Sequence, residues 1–306
     1  MLSNISKISH LHRPTRKVSN FVKLVEVGPR DGLQNEKQNV PTDIKLNLID
    51  KIYDSNVKFI EATAFVSPKW VPQMADQDEV MKACHEKYGD RSHDRSDSES
   101  KLTFSALTPN LQGYNSAFKN GVDEVSVFGA ASEAFSQKNI NCSIEQSLNR
   151  FKPVLQQAKQ DNIKVRGYVS CIAGCPYQGH VPIKDVLKVT SLLYQAGCYE
   201  ISLGDTIGVG TAKKIKEILE AIKVEGIPVE AVALHCHDTY GQAIANCLAG
   251  LEGDVRVFDG AVSGLGGCPY AKGASGNVSS EDLRGIYFES EEKFEKNSKT
   301  QFSTKT

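Results

Sequence analysis

The chain has 306 residues, 40% hydrophobic and 24% charged, with a formal net charge of −1. That composition is ordinary for a globular protein, offers no bulk field for nucleic acid, and contains no apolar run near the roughly 20 residues that span a bilayer. Eight cysteines spread over this length are too dilute for a disulfide scaffold and read as reduced thiols.

In chain order, the first segment stands apart. Met1 to Phe21 carries Lys7, Arg13, Arg16 and Lys17 among several serines, and the first acidic residue is Glu26. A basic, Ser-rich, acid-free start has the bias of an organellar transit peptide, so residues 1–21 are expected to be a leader directing the chain to the mitochondrial matrix. From Val22 onward, short β-rich runs recur: Val22–Val27, Phe59–Phe65, Leu102–Leu107, Glu124–Phe128, Val165–Ser170, Glu200–Leu203, Ala231–His235 and Val255–Val262. Between them lie amphipathic segments such as Thr42–Asn56, Ile144–Asp161, Ile183–Ala196 and Ala212–Val224. Pro41 and Pro182 mark helix starts, and Gly121, Gly197 and Gly226 mark stops. Strand–helix alternation repeated eight times predicts an α/β fold, a parallel (β/α)8 TIM barrel spanning residues 22–288. A doubly wound open sheet is the alternative. Residues 88–101 read Y-G-D-R-S-H-D-R-S-D-S-E-S-K and have almost nothing to bury. They are expected to be a solvated surface insertion between the second helix and third strand, with balanced charge that argues against RNA contact.

Barrels carry their chemistry at the C-terminal ends of the strands. The first strand ends in Gly28-Pro29-Arg30-Asp31-Gly32, and the seventh in His235-Cys236-His237-Asp238. Strand side chains alternate faces, so His235 and His237 point the same way, and Asp238 is placed to orient one imidazole. The eighth strand runs into a glycine-rich stretch, Gly264 to Gly276, that contains Cys268 and is followed by Asn277. Such a stretch lets backbone approach a ligand and leaves the thiol adjustable. Glu61 and Asp205 add carboxylates at the ends of strands two and six. Cys171 and Cys175 form a Cys-x3-Cys pair, a zinc half-site lacking an evident second half.

Topology joins these pieces. In a closed barrel, strand eight neighbours both strand one and strand seven, so Asp31, His235, His237 and Asn277 converge on one sector of the mouth. Two nitrogens with two oxygens favour a divalent cation, Mg2+ or Mn2+, over thiolate-bound zinc.

These motifs resemble the 3-hydroxy-3-methylglutaryl-CoA lyase family from about Val22 to Leu283. The likeness is carried by V-E-V-G-P-R-D-G-L-Q-N-E-K from Val25, P-K-W-V-P-Q-M-A-D from Pro68, E-I-S-L-G-D-T-I-G-V-G from Glu200, H-C-H-D-T-Y-G-Q-A from His235 and G-L-G-G-C-P-Y-A-K-G-A-S-G-N from Gly264. The resemblance implies a metal-dependent carbon–carbon lyase acting on an acyl-CoA, and allows a homodimer. Asp31, His235, His237 and Asn277 stand at that family's metal ligands, and Cys268 at its catalytic thiol. Arg30 stands at its enolate-stabilising arginine, while Glu61, Asp205 and Glu281 match further acidic catalytic or supporting positions. His235 doubles as a candidate proton donor. The family's S-V-A before the glycine-rich stretch is A-V-S here, from Ala261 to Ser263. After Leu283 the pattern departs: a short helix and a charged tail, 289–306, replace the expected helices. The C-terminal helical layer therefore reads as shortened, with lower stability expected. The alternatives are a catalytically impaired barrel acting as a pseudoenzyme and a related condensing acyltransferase.

Overall fold

The computed structural model describes residues 21–89, 102–267 and 276–286. The expected leader through residue 20, residues 90–101 of the expected insertion, Cys268 and the expected tail beyond residue 286 lie outside the described residues, whereas Tyr88, expected in that insertion, is the buried last residue of a helix.

Eight parallel strands close into one barrel in sequence order. They are β1 (Lys23–Glu26), β2 (Phe59–Ala64), β3 (Thr103–Leu107), β4 (Glu124–Ala130), β5 (Lys164–Ser170), β6 (Glu200–Asp205), β7 (Val232–Cys236) and β8 (Val257–Gly260). The outer layer is α1 (Thr42–Asp54), α2 (Gln77–Tyr88), α3 (Leu111–Lys119), α4 (Glu133–Ile140), α5 (Ile144–Gln160), α6 (Ile183–Ala196), α7 (Ala212–Val224) and α8 (Ala243–Glu252). Residues 280–286 are also helical. Pairing of β1 with β8, from Lys23↔Val257 to Glu26↔Gly260, closes the sheet and excludes the open-sheet alternative. No described helix is long and apolar enough to cross a membrane.

Local chemistry explains the helix limits. Asn110, Ser132, Ser143 and Thr211 each accept a backbone N–H from the first turn of α3, α4, α5 and α7, satisfying donors that a helix start leaves orphaned. Ser143 and Gln146 form a full capping box. Gly197 ends α6 in the left-handed region at φ 110°, a conformation glycine adopts without steric cost.

Two cores result. Outward side chains such as Ile60, Phe104, Val125, Ile201 and Leu234 pack beneath Ile49, Leu193, Ile218 and the other helix residues in one apolar cluster. Beside a smaller apolar cluster of Val25, Val27, Ala233, Val257 and Ala261, the barrel interior carries buried charge. Arg166 on β5 donates through Nε to Glu200 at 2.7 Å and through Nη2 and Nη1 to Asp259 at 2.6 and 3.0 Å. Ser202 donates to the same Asp259 carboxylate, and Lys23 reaches Glu200 from below. Charges buried this deeply persist because each has an opposite partner.

The strand ends differ from the sequence reading in informative ways. β4 and β6 run further than expected, so Asp205 is the last residue of its strand rather than the start of a loop. β8 is shorter, because a tight turn at Val262–Gly264 takes over from the ladder.

Candidate active site and metal centre

The site begins where β1 stops. The chain enters a single π-helical turn, Gly28–Gly32, in which the N–H groups of Arg30, Asp31 and Gly32 all converge on the Val27 carbonyl. This turn holds Arg30 and Asp31 at the barrel mouth. Opposite it, β7 carries His235 and the residue just past its end is His237, and the segment after the glycine-rich stretch returns as a short extension of the sheet. Asn277 bridges to His237 and Ser279 to Ala261. Asn277 Nδ2 donates to Asp31 Oδ2 at 2.9 Å and to the Leu265 carbonyl at 3.0 Å. All four residues expected to converge do so.

The donor geometry fits a cation. His235 Nε2 lies 3.2 Å from His237 Nε2 and 3.8 Å from Asp31 Oδ2, and one donor atom from each of the three residues falls within 4.8 Å of the others. Six-coordinate ligands at about 2.1 Å from a small divalent ion stand about 3.0 Å apart when adjacent. Burial, reinforced by His235, pushes His237 down to about 4, with Asp31 only partly opposing, so its ring is neutral near pH 7. Burial would raise Asp31, but Arg30 first, then the two histidines and Asn277, hold it at about 2. A carboxylate and two facing imidazoles without thiolates are the donor set of a hard or borderline divalent cation.

His235 is locked from behind. Its Nδ1 faces Asp259 Oδ2 at 3.2 Å, which leaves Nε2 directed at the cluster. This corrects the expectation that Asp238 orients an imidazole: Asp238 Oδ1 accepts the Ala243 N–H at the start of α8.

Arg30 is buried beside the cluster. It donates through Nε to Glu61 Oε2 at 2.6 Å, its Nη2 lies 2.5 Å from the same oxygen, and Nη1 donates to Asp31 Oδ1 at 2.6 Å. Its guanidinium carbon stands 5.3 Å from the centre of the Tyr168 ring. Burial opposes the charge, yet Glu61 and Asp31 push Arg30 further above its ordinary value, so it is a permanent cation. Glu61 also accepts the hydroxyls of Ser126 at 2.6 Å and Tyr168 at 3.1 Å. With donors on both oxygens, it positions the arginine.

Asp205 is fully buried, and burial pushes its carboxyl up to about 6. Its Oδ2 accepts the Gly210 N–H at 2.9 Å, while Oδ1 has no hydrogen-bond partner among the described residues. Glu281 is exposed, and both its oxygens accept the Ser263 N–H, at 3.1 and 2.9 Å. It therefore grips the entry to the glycine-rich stretch. The two ends of that stretch meet beside Asn277, where Gly276 N–H donates to the Gly266 carbonyl at 3.2 Å. A side chain at position 276 would collide with Gly266 backbone at 2.9–3.0 Å, which explains the glycine. Cys171 and Cys175 belong to no cluster of three metal-ligating groups among the described residues, where Asp31, His235 and His237 form the one such group.

Sequence reasoning missed Glu26, Tyr168, Arg166 and Asp259. Each is a polar residue inside a strand run otherwise fit for burial, and that misfit was the available signal.

The chain matches the family model described as HMGL-like over residues 21–298. It is 55% identical to the human cytoplasmic 3-hydroxy-3-methylglutaryl-CoA lyase over 279 residues, covering 90% of this chain and 72% of the relative. It is likewise 55% identical to the mitochondrial hydroxymethylglutaryl-CoA lyase of Gallus gallus over 262 residues, 86% of this chain and 84% of the relative. The crystal structure of hydroxymethylglutaryl-CoA lyase from Pseudomonas aeruginosa superimposes with a TM-score of 0.80 at 52% identity, covering 88% of this chain and 86% of that one.

Proposed function

The chain belongs to the HMGL-like family, and from that membership we propose that it cleaves 3-hydroxy-3-methylglutaryl-CoA to acetyl-CoA and acetoacetate. The observation that carries this reading is the convergence of Asp31, His235 and His237 beside a buried Arg30 at the mouth of the barrel. With the proposed donor set complete, nothing favours a catalytically impaired reading.

In this reading Asp31, His235, His237 and Asn277 hold Mg2+ or Mn2+. Such an ion supplies Lewis acidity toward the substrate's C3 alcohol, easing loss of its proton. The residues do the rest. A general base takes the hydroxyl proton, C3 becomes a ketone as the C2–C3 bond breaks, and the electron pair passes to C2 and onto the thioester oxygen. Arg30, held in place by Glu61 and Asp31, turns its remaining N–H groups toward that oxygen and stabilises the developing charge. Cys268, two residues beyond Gly266, delivers a proton to C2 and releases acetyl-CoA. Asp205 and Glu281 act in support, one from the end of β6 and the other at the entry to the glycine-rich stretch.

We place residues 22–288 in one barrel domain. The acid-free N-terminal segment and the mitochondrial relative support an address in the mitochondrial matrix. The proposal is tested by incubating the purified protein with the substrate and measuring both products. Equal amounts of acetyl-CoA and acetoacetate support it, and unchanged substrate overturns it.

A further inference from the structure

Glu26, the last residue of β1, is 1% exposed and touches three separate segments of the chain. Its Oε1 accepts the N–H of Gly28 at 2.8 Å, where the turn bearing Arg30 and Asp31 begins. The same oxygen accepts the N–H of Val262 at 2.9 Å, where the chain leaves β8 for the glycine-rich stretch and Cys268. Its Oε2 accepts the Ser280 hydroxyl at 2.5 Å, three residues beyond Asn277. One buried carboxylate thus ties together three segments that the proposed mechanism draws on at the β1–β8 seam.

Two glycines clear the space for it. A Cβ at Gly28 would stand 2.5 Å from Glu26 Oε1 and 3.3 Å from Val262 Cγ1. A Cβ at Gly260, the register partner of Glu26, would stand 2.9 Å from both Ser280 Oγ and Leu283 Cδ1. Among the described residues, none of the leading influences on this carboxylate is a cation. Burial is the largest influence and pushes it up to about 7, the nearby Glu281 adds to that, and the three donors hold it back. A buried acid without a counter-charge is costly, and residues of this kind persist where their hydrogen bonds organise something.

We infer that Glu26 is a positioning residue, a three-way hydrogen-bond clamp that sets Asp31, Asn277 and the entry to the Cys268 segment relative to one another. The inference rests on the metal-site reading above, and its test separates the two. Gln at position 26 preserves the clamp: its carbonyl accepts the two backbone N–H groups, and its NH2 donates to Ser280 Oγ, which accepts as readily as it donates. Ala removes all three contacts.

The experiment measures Mn2+ affinity by electron paramagnetic resonance, together with turnover, for wild type, Glu26→Gln, Glu26→Ala, Ser280→Ala and Asp31→Ala. Asp31→Ala tests the metal site alone: if it binds Mn2+ as wild type does, the site reading fails whatever Glu26 does. With Asp31→Ala impaired, the clamp predicts that Glu26→Ala weakens Mn2+ binding and lowers kcat by about tenfold or more. It predicts that Glu26→Gln restores both to within about threefold of wild type, and that Ser280→Ala lies between. Equal loss in Gln and Ala variants, with wild-type circular dichroism, overturns the clamp, as does an Ala variant that binds and turns over normally. Should Glu26→Ala fail to fold, the Gln and Ser280→Ala variants decide: near-normal Gln with weakened Ser280→Ala supports the clamp, and any other pairing overturns it.

Discussion

Asp259 Oδ2 lies 3.2 Å from His235 Nδ1 while the same carboxylate is held by Arg166 Nη1 and Nη2 at 3.0 and 2.6 Å. A charge buried in the barrel interior therefore fixes the orientation of an imidazole at its mouth. Arg166 passes the constraint on to Glu200, and Glu200 to Lys23 at the far end. The interior polar column is thus the foundation of the candidate metal site.

Asp259→Asn tests this link. Asn is nearly isosteric but presents a neutral group to Arg166, and its amide no longer enforces protonation of His235 Nδ1. Partners of this kind are worth about 10–100-fold in metal affinity. We expect Mn2+ binding to weaken within that range, with His235 populating both tautomers in 15N NMR spectra of the metal-free protein. Unchanged affinity and a single tautomer would remove Asp259 from the metal site.

Glu26 makes a second expectation about pH. Its carboxyl rises from 4.5 to about 7 on folding. Below pH 4.5 it is protonated in both states. Between 4.5 and about 7 the folded protein alone keeps the proton, so stability falls as pH rises; above 7 the loss is complete. The interval corresponds to something on the order of 3 kcal/mol. Glu26→Gln has no such proton. Its stability relative to wild type, from urea unfolding, should grow from pH 5 to pH 7 and then level. A constant difference across that range would contradict the raised pKa.

Much of this arrangement was legible in the sequence, because the signals were local. Alternation placed His235 and His237 on one face, eight strand–helix repeats implied closure, and closure brought Asp31 to Asn277. Pro41, Pro182 and Gly197 marked helix limits that hold to the residue. What was not legible depends on long-range partners. Glu26 looked like any polar residue in a short strand; its role appears only when β1 lies against Val262 and Ser280, more than 230 positions away in sequence. Asp238, adjacent to His237, was the natural candidate for orienting an imidazole, but its side chain serves the start of α8, and Asp259 does that work from the neighbouring strand. Glu281 was placed among the acids by motif, whereas its contact with Ser263 could come only from the turn that ends β8.

Cys268 is proposed to move a proton without binding the metal. Serine at this position keeps the size but raises the pKa of the transferable proton, so kcat should fall by about 10² or more, the scale of a lost acid–base group. Mn2+ affinity should stay at the wild-type value. Wild-type turnover in Cys268→Ser would exclude the thiol from the chemistry, and a large loss of Mn2+ would make it a ligand instead.

The central claim is that cleavage depends on a divalent cation held by Asp31 and its three partners. The most direct measurement strips the purified protein with EDTA, supplies 3-hydroxy-3-methylglutaryl-CoA, and follows acetyl-CoA as Mg2+ or Mn2+ is added back, with Asp31→Ala alongside. The account predicts no product from stripped protein, saturable recovery with added metal, and no recovery in Asp31→Ala at the same concentrations while its circular dichroism matches wild type. Full activity after stripping, or equal recovery in the Asp31→Ala variant, would contradict it.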